Sequence, residues 1–273
     1  MEVYISDLFD LEKIAGSGQC FRVLSHSGGT YRFITGNQVL YIRKSSEERY
    51  QVSCNQAVWE GVWRPYFDLG RNYRDISSQI PAEDTFLRQA AQMGAGIRIL
   101  RQDPWETLLT FIISQRKSIP AIRAVVEMLS ERYGGAVRTP YESLHTFPTA
   151  AQLRDVCEED YRACKAGYRA PYLCDAVQKV LSGRLNLEKA AALSDSGLIA
   201  ALEEVRGVGI KVANCVALFA YGRASCAPVD TWIRRIIQRE YNGRDPFGRY
   251  GAAAGIMQQY FFYYALNHKT ETA

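Results

Sequence analysis

The stretch Leu202-Glu203-Glu204-Val205-Arg206-Gly207-Val208-Gly209-Ile210-Lys211-Val212-Ala213 constrains this chain more than any other. One helical pattern ends, a Gly-Val-Gly turn follows, and a second helix starts at once. Glycines at Gly207 and Gly209 permit backbone angles that other residues resist, and they remove side chains from the turn. The first N–H groups of the second helix lack intrahelical acceptors. A phosphate can approach such a backbone and meet those donors at the positive end of the helix. The pattern is a helix-hairpin-helix over about residues 196–221, a grip on a DNA backbone that does not read sequence. The alternative is a tight interhelical turn with no ligand, because a bare Gly-x-Gly is a weak signal.

The remaining chain has two textures. Tyr31-Arg32-Phe33-Ile34 and Val39-Leu40-Tyr41-Ile42 flank Thr35-Gly36-Asn37-Gln38, which is a β-hairpin pattern. Tyr50-Gln51-Val52-Ser53-Cys54 fits a further strand, and the first seventy or so residues read as β. From Pro81 onward helix starts and stops recur. Asp103-Pro104-Trp105-Glu106 offers a capping Asp, a first-turn Pro and a capping-box Glu. Ser118-Ile119-Pro120 starts another helix, which Gly134-Gly135 ends. Further helices fit about 150–157, 169–181, 196–205, 210–221, 231–240 and 251–266. The fold class is α+β: an N-terminal antiparallel β-sheet domain over 1–75, then a mainly α-helical domain over 76–273.

Composition narrows the setting. A net charge of +4 permits nucleic-acid binding without establishing it. Seven cysteines without a C-x-x-C pair argue against a disulfide framework or a zinc ribbon, and they fit a reducing compartment. The acidic start MEVYISDLFD is unlike a secretion signal, and no stretch approaches the ~20 apolar residues that cross a bilayer. A soluble cytoplasmic protein is expected.

Chemistry concentrates after the hairpin. Lys211 opens an otherwise apolar helix, where partial burial would favour an uncharged amine. Such an amine can attack an electrophilic sugar carbon and form a Schiff base. Alternatively, Lys211 contacts a phosphate or snorkels to solvent. Ala227-Pro228-Val229-Asp230 places Asp230 just before a helical pattern, where it can cap. A carboxylate there can also stabilise oxocarbenium character at a sugar, and the two roles are compatible. Arg234 and Arg235 reach phosphates or form a solvated face. Gln258 and Phe262, four apart, share a helical face. An amide that bonds a Watson–Crick edge and a ring that stacks suit an extruded nucleobase. The alternative is that this aromatic-rich segment is core.

The order of hairpin, lysine and Pro-Val-Asp nineteen residues later resembles the helix-hairpin-helix DNA glycosylase superfamily. Four further segments are similar to the 8-oxoguanine DNA glycosylase family, over nearly the whole chain. They are Ser17-Gly18-Gln19-Cys20-Phe21-Arg22, Gln102-Asp103-Pro104-Trp105-Glu106 with Phe111-Ile112-Ile113-Ser114, Gly167-Tyr168-Arg169-Ala170, and Ala254–Phe262. The resemblance implies a bifunctional glycosylase and AP lyase that excises 8-oxoguanine from duplex DNA. It implies Lys211 as Schiff-base nucleophile and Asp230 as the assisting carboxylate. It implies a base pocket of Gly18, Cys215, Gln258 and Phe262, in which the Gly18 carbonyl accepts the N7–H peculiar to the oxidised base. It implies DNA contacts from Gly207, Val208, Gly209, Arg116, Tyr168 and Arg169, with Tyr168 as a wedge. It implies no cofactor and no catalytic metal, a monomer, double-stranded DNA containing a damaged purine as partner, and a bacterial-type nucleoid location. Rival readings are a glycosylase of the same fold for other lesions, such as alkylated purines, and a non-catalytic DNA-binding module.

The chain departs from the family at three places. Arg116 stands where an asparagine is usual, Trp232 where a histidine follows Pro-Val-Asp, and Arg206 where a proline often precedes the hairpin glycine. The last cysteine is Cys226, so the C-terminal iron–sulfur loop of the endonuclease III branch is absent.

Overall fold

The computed structural model describes residues 1–268. Strands β1 (Glu2–Tyr4), β2 (Leu24–His26), β3 (Thr30–Thr35), β4 (Gln38–Ser46) and β5 (Arg49–Val52) form one antiparallel sheet in the order β1-β5-β4-β3-β2. Phe33 pairs with Leu40 and Thr35 with Gln38, which leaves Gly36 and Asn37 as a two-residue turn. Gly36 has φ +55°, the left-handed angle that tight hairpin turns demand.

Arg32, Phe33 and Ile34 are all buried, so β3 lacks the alternation of a half-exposed strand. Both faces of the sheet are covered at β3 and the middle of β4, whereas β1, β5 and the end of β4 alternate or lie exposed. Phe33, Leu40 and Ile42 pack with Phe9, Trp59, Trp63 and Phe67, and Phe33 meets Phe67 edge-on at 5.1 Å. On the other side a small hairpin, Ala136–Arg138 with Ser143–His145, brings Glu142 to Arg32 at 2.8 Å and to the Tyr41 hydroxyl at 2.9 Å. Strands of three residues are too short to show periodicity, so the sequence does not announce this hairpin.

The stretch read as β ends earlier than expected. A helix already occupies Leu11–Gly16, and helical turns run from Gln56 to Tyr66, including a π-helical turn over Trp59–Trp63. Trp59, Trp63 and Phe67 recur every four residues and close over the sheet, so packing overrides their strand preference. The helix expected at 150–157 is a run of turns; the helix forms at Glu158–Ala163 instead. There Cys157 and Asp160 bond each other's end of the first turn.

The principal helices of the second part are Thr85–Met93, Pro104–Ser114, Ile119–Tyr133, Ala170–Leu181, Asp195–Glu203, Ile210–Phe219, Thr231–Tyr241 and Ala254–Asn267. Leu108, Ile112, Val126, Leu173, Leu198, Leu202, Val216 and Ala217 lie within their shared core. No helix among the described residues is long and apolar enough to cross a membrane.

Asp103 caps Pro104–Ser114 as expected, its Oδ1 accepting the Glu106 N–H at 2.8 Å. Glu106 makes no reciprocal bond among the described residues. Burial pushes its carboxyl up to about 8, against the pull of Arg22. The folded protein therefore keeps a proton at neutral pH that an unfolded chain releases near 4.5. Stability is expected to fall through this group as pH rises from about 4.5 to about 8. Glu106→Gln, always neutral, should melt above the wild type by a margin that widens across that window. A margin independent of pH would contradict a titrating buried carboxyl.

Candidate active site

The Ser17-Gly18-Gln19 loop is strapped on both sides. The Ser17 carbonyl accepts Gln259 Nε2 at 2.7 Å. Gln19 Nε2 donates to the Arg98 carbonyl at 2.8 Å, and its Oε1 accepts the Leu100 N–H at 2.7 Å. Ser17, Gln19 and Gln259 are all buried, so the loop has little freedom to shift. Between the anchors Gly18 holds φ +74°, and a Cβ there would lie 2.8 Å from Phe262 Cε1. Among the described residues no internal donor reaches the Gly18 carbonyl. The loop thus offers an acceptor beside an aromatic ring.

Lys211 occupies the first turn of Ile210–Phe219 and is partly buried, its Nζ 5.6 Å from the Phe111 ring centroid. One turn on, burial pushes the Cys215 thiol up while the adjacent Lys211 pulls against it. Asp230 caps Thr231–Tyr241, with Oδ1 accepting the Ile233 N–H at 2.9 Å. Its other oxygen has no protein partner among the described residues, and no ion pair joins it to Lys211. The carboxylate is therefore oriented by the helix end yet free on one side.

A cavity of about 520 Å³ collects these groups. Gly18, Lys211, Cys215, Asp230, Gln258 and Phe262 all line it. Gln258 is 4% exposed, and its Oε1 has no hydrogen-bond partner. A buried amide oxygen without a donor costs about 1–3 kcal/mol, which a ligand N–H would recover. Aromatic and apolar walls come from Phe21, Phe111, Phe219 and Ile119, and Trp232 closes one side. Phe111 stacks on Phe219 at 5.5 Å and 12°. Sequence reading missed these walls because phenylalanines in apolar helices look like core. It also missed Lys117, which lines the cavity and donates to the Lys165 carbonyl at 3.0 Å. Burial, with Arg169 nearby, pushes the Lys117 ammonium down.

The residues expected at DNA do not line the cavity. Tyr168 is 50% exposed, and Arg116, Gly207 and Gly209 are exposed. Ile210 is 60% exposed beside the turn, an apolar side chain the core does not claim. Val208 is buried, at 6% exposed, and packs in the core rather than at the surface. Arg169 is placed differently from the expected surface contact, being 4% exposed. Its guanidinium lies 4.3 Å from the Tyr168 ring centroid and donates to the carbonyls of Ala166 and Gln115. Arg234 and Arg235 are both exposed, and Arg235 lies over the Trp232 ring at 5.6 Å.

The two hairpin glycines do different jobs. Gly207 has φ +79°, and a Cβ there would fall 2.2 Å from the Tyr172 ring. Gly209 has φ −108°, with nothing within 4 Å of a Cβ. Gly207→Ala is expected to destabilise the fold by about 2–4 kcal/mol, from backbone strain plus overpacking. Gly209→Ala should hold stability within about 1 kcal/mol yet weaken duplex binding, because its methyl faces the open side of the turn. Paired denaturation and binding curves test this, and equal stability losses would contradict it.

The chain is similar to proteins of known family. Residues 2–108 match the family model described as 8-oxoguanine DNA glycosylase, N-terminal domain. Residues 109–246 match that of the HhH-GPD superfamily base excision DNA repair protein. A probable N-glycosylase/DNA lyase of Methanothermobacter thermautotrophicus is 29% identical over 228 residues, covering 73% of this chain and 72% of that one. The N-glycosylase/DNA lyase of Saccharomyces cerevisiae is 33% identical over 204 residues; the match takes in 68% of this chain and 53% of the yeast protein. The Clostridium acetobutylicum 8-oxoguanine glycosylase/lyase, in complex with double-stranded DNA containing cytosine opposite 8-oxoguanine, superposes with a TM-score of 0.91. It is 35% identical, with 98% of each chain covered.

Proposed function

Because the chain belongs to the 8-oxoguanine DNA glycosylase family, within the helix-hairpin-helix base excision repair superfamily, we propose that it excises 8-oxoguanine from duplex DNA and then nicks the strand. The observation that carries this reading is one cavity that holds an amine, a half-free carboxylate, an unpartnered amide and aromatic walls. Such a set suits a purine with its sugar at the mouth.

The hairpin holds a phosphate through the open N–H groups of Ile210–Phe219, and Tyr168 enters the stack. The lesion leaves the helix at a cost of a few kcal/mol. Its Watson–Crick edge gives the Gln258 oxygen the donor it lacks, its face lies on Phe262, and its N7–H meets the Gly18 carbonyl. Ordinary guanine has no hydrogen at N7, so the carbonyl then goes unpaired, at about 1–3 kcal/mol. Lys211 Nζ bonds C1′ as the bond from C1′ to the base breaks, and the bonding electrons leave with the purine, which takes up a proton. The Asp230 carboxylate stabilises the positive charge that grows on the sugar. The sugar ring opens to an imine, and loss of a C2′ proton expels the 3′ phosphate. The enzyme works as a monomer, and a bacterial-type nucleoid is where its duplex substrate lies.

Duplexes carrying 8-oxoguanine opposite each of the four bases test the reading. Incision of the lesion strand is expected, with undamaged guanine duplexes left intact. Preference for alkylated purines over 8-oxoguanine would overturn it.

A further inference from the structure

The Ala170–Leu181 helix begins at the turn that carries Tyr168, and it contributes nothing to the cavity lining. Tyr172, Asp175 and Lys179 recur at the spacing of one helical face. All three touch the hairpin turn. The Tyr172 ring lies against Gly207, so close that a Cβ would not fit. Asp175 Oδ2 accepts the Arg206 N–H at 2.7 Å and Lys179 Nζ at 2.8 Å. Lys179 Nζ also donates to the Glu204 carbonyl at 2.5 Å. Burial alone would raise the Asp175 carboxyl, but the bonds from Lys179 and the Arg206 N–H hold it below the usual carboxylate range.

The same helix face continues to the wedge. Tyr168 meets Tyr172 edge-on at 6.2 Å and 81°, and Arg169 stacks on Tyr168. Arg169 donates to the Gln115 carbonyl, and Gln115 Nε2 donates to the Gly207 carbonyl at 3.0 Å. The contacts close a ring: Tyr168, Tyr172, Gly207, Gln115, Arg169 and back to Tyr168. The phosphate-gripping turn and the inserting ring are parts of one braced assembly, so little ordering remains when DNA arrives.

We propose that Asp175 is a positioning residue, which fixes the hairpin turn relative to Tyr168 so that backbone grip and base extrusion act as one unit. This rests on the reading of the chain as a base-extruding glycosylase. Asp175 and Lys179 touch neither the cavity nor the reacting atoms. Their effect on catalysis therefore runs through Tyr168, and it vanishes once Tyr168 is gone.

The test is a double-mutant cycle on single-turnover excision of 8-oxoguanine, with melting temperatures recorded for each variant. Asp175→Ala is expected to slow excision about tenfold, a usual coupling for residues in one network. In a Tyr168→Ala background the same change should add less than about twofold. Asp175→Asn, which keeps an acceptor for the Arg206 N–H, should recover part of the rate. Factors that multiply in the double variant, or an unchanged rate in Asp175→Ala, overturn the proposal. If Asp175→Ala does not fold, Lys179→Gln in the same cycle decides by the same criteria. A wild type that excises nothing would instead sink the parent reading.

Discussion

Lys211→Gln is expected to abolish strand scission and covalent trapping by borohydride while leaving duplex affinity within a few-fold of wild type. Glutamine is close to lysine in reach but cannot form an imine, so no water-free route to the nicked product survives. Loss of a covalent nucleophile removes an interaction made only on the way to the transition state, which here means at least ~10³-fold in single-turnover rate. The fold should tolerate the change. Lys211 is partly exposed, and its neighbours in the cavity are the Phe111 ring and the Cys215 thiol. The hairpin donors belong to the backbone, so the grip on phosphate persists. Tight binding without cleavage would also dispose of a purely DNA-binding reading, because a passive module has no activity to lose.

Asp230→Asn should cut excision by about 10²–10³-fold, the scale of removing one electrostatic stabiliser from a desolvated site. Stability should stay nearly constant, because the amide oxygen of asparagine can replace Oδ1 as acceptor for the Ile233 N–H. Asp230→Ala removes the cap as well, and about 1 kcal/mol of stability should go with it. The pair of variants separates two roles that the sequence alone leaves joined. Full activity in Asp230→Asn would reduce this residue to a helix cap.

The hairpin, Lys211 and Asp230 are legible in the sequence because each breaks a pattern. Gly207 and Gly209 interrupt two helices, Lys211 sits in an apolar helix, and Asp230 precedes one. The loop of Gly18 is legible only by family likeness. Its geometry rests on Gln19 and Gln259, whose partners lie 81 and 242 residues away at the far ends of their bonds. Contacts across such distances leave no local periodicity. The walls of Phe111 and Phe219 hide among core residues for the same reason.

Arg169 shows how a resemblance names a position without giving its job. A surface contact was expected, yet the side chain is spent beneath Tyr168 and on backbone carbonyls. Arg116 shows the reverse. It holds φ +51°, a left-handed angle that asparagine adopts more readily than arginine. The arginine accepts that backbone and is exposed. The β-hairpin at 136–145 and the helical turns of 56–66 escaped sequence reading because tertiary packing, not local preference, selects them.

Two lysines line the cavity, and that gives the central claim its sharpest test. Duplex bearing 8-oxoguanine, incubated with the wild type and borohydride, is expected to yield a reduced protein–DNA adduct that proteolysis and mass spectrometry can locate. The adduct is expected on the peptide containing Lys211 and on its Nζ. An adduct on Lys117, or trapping undiminished in Lys211→Gln, would contradict the account.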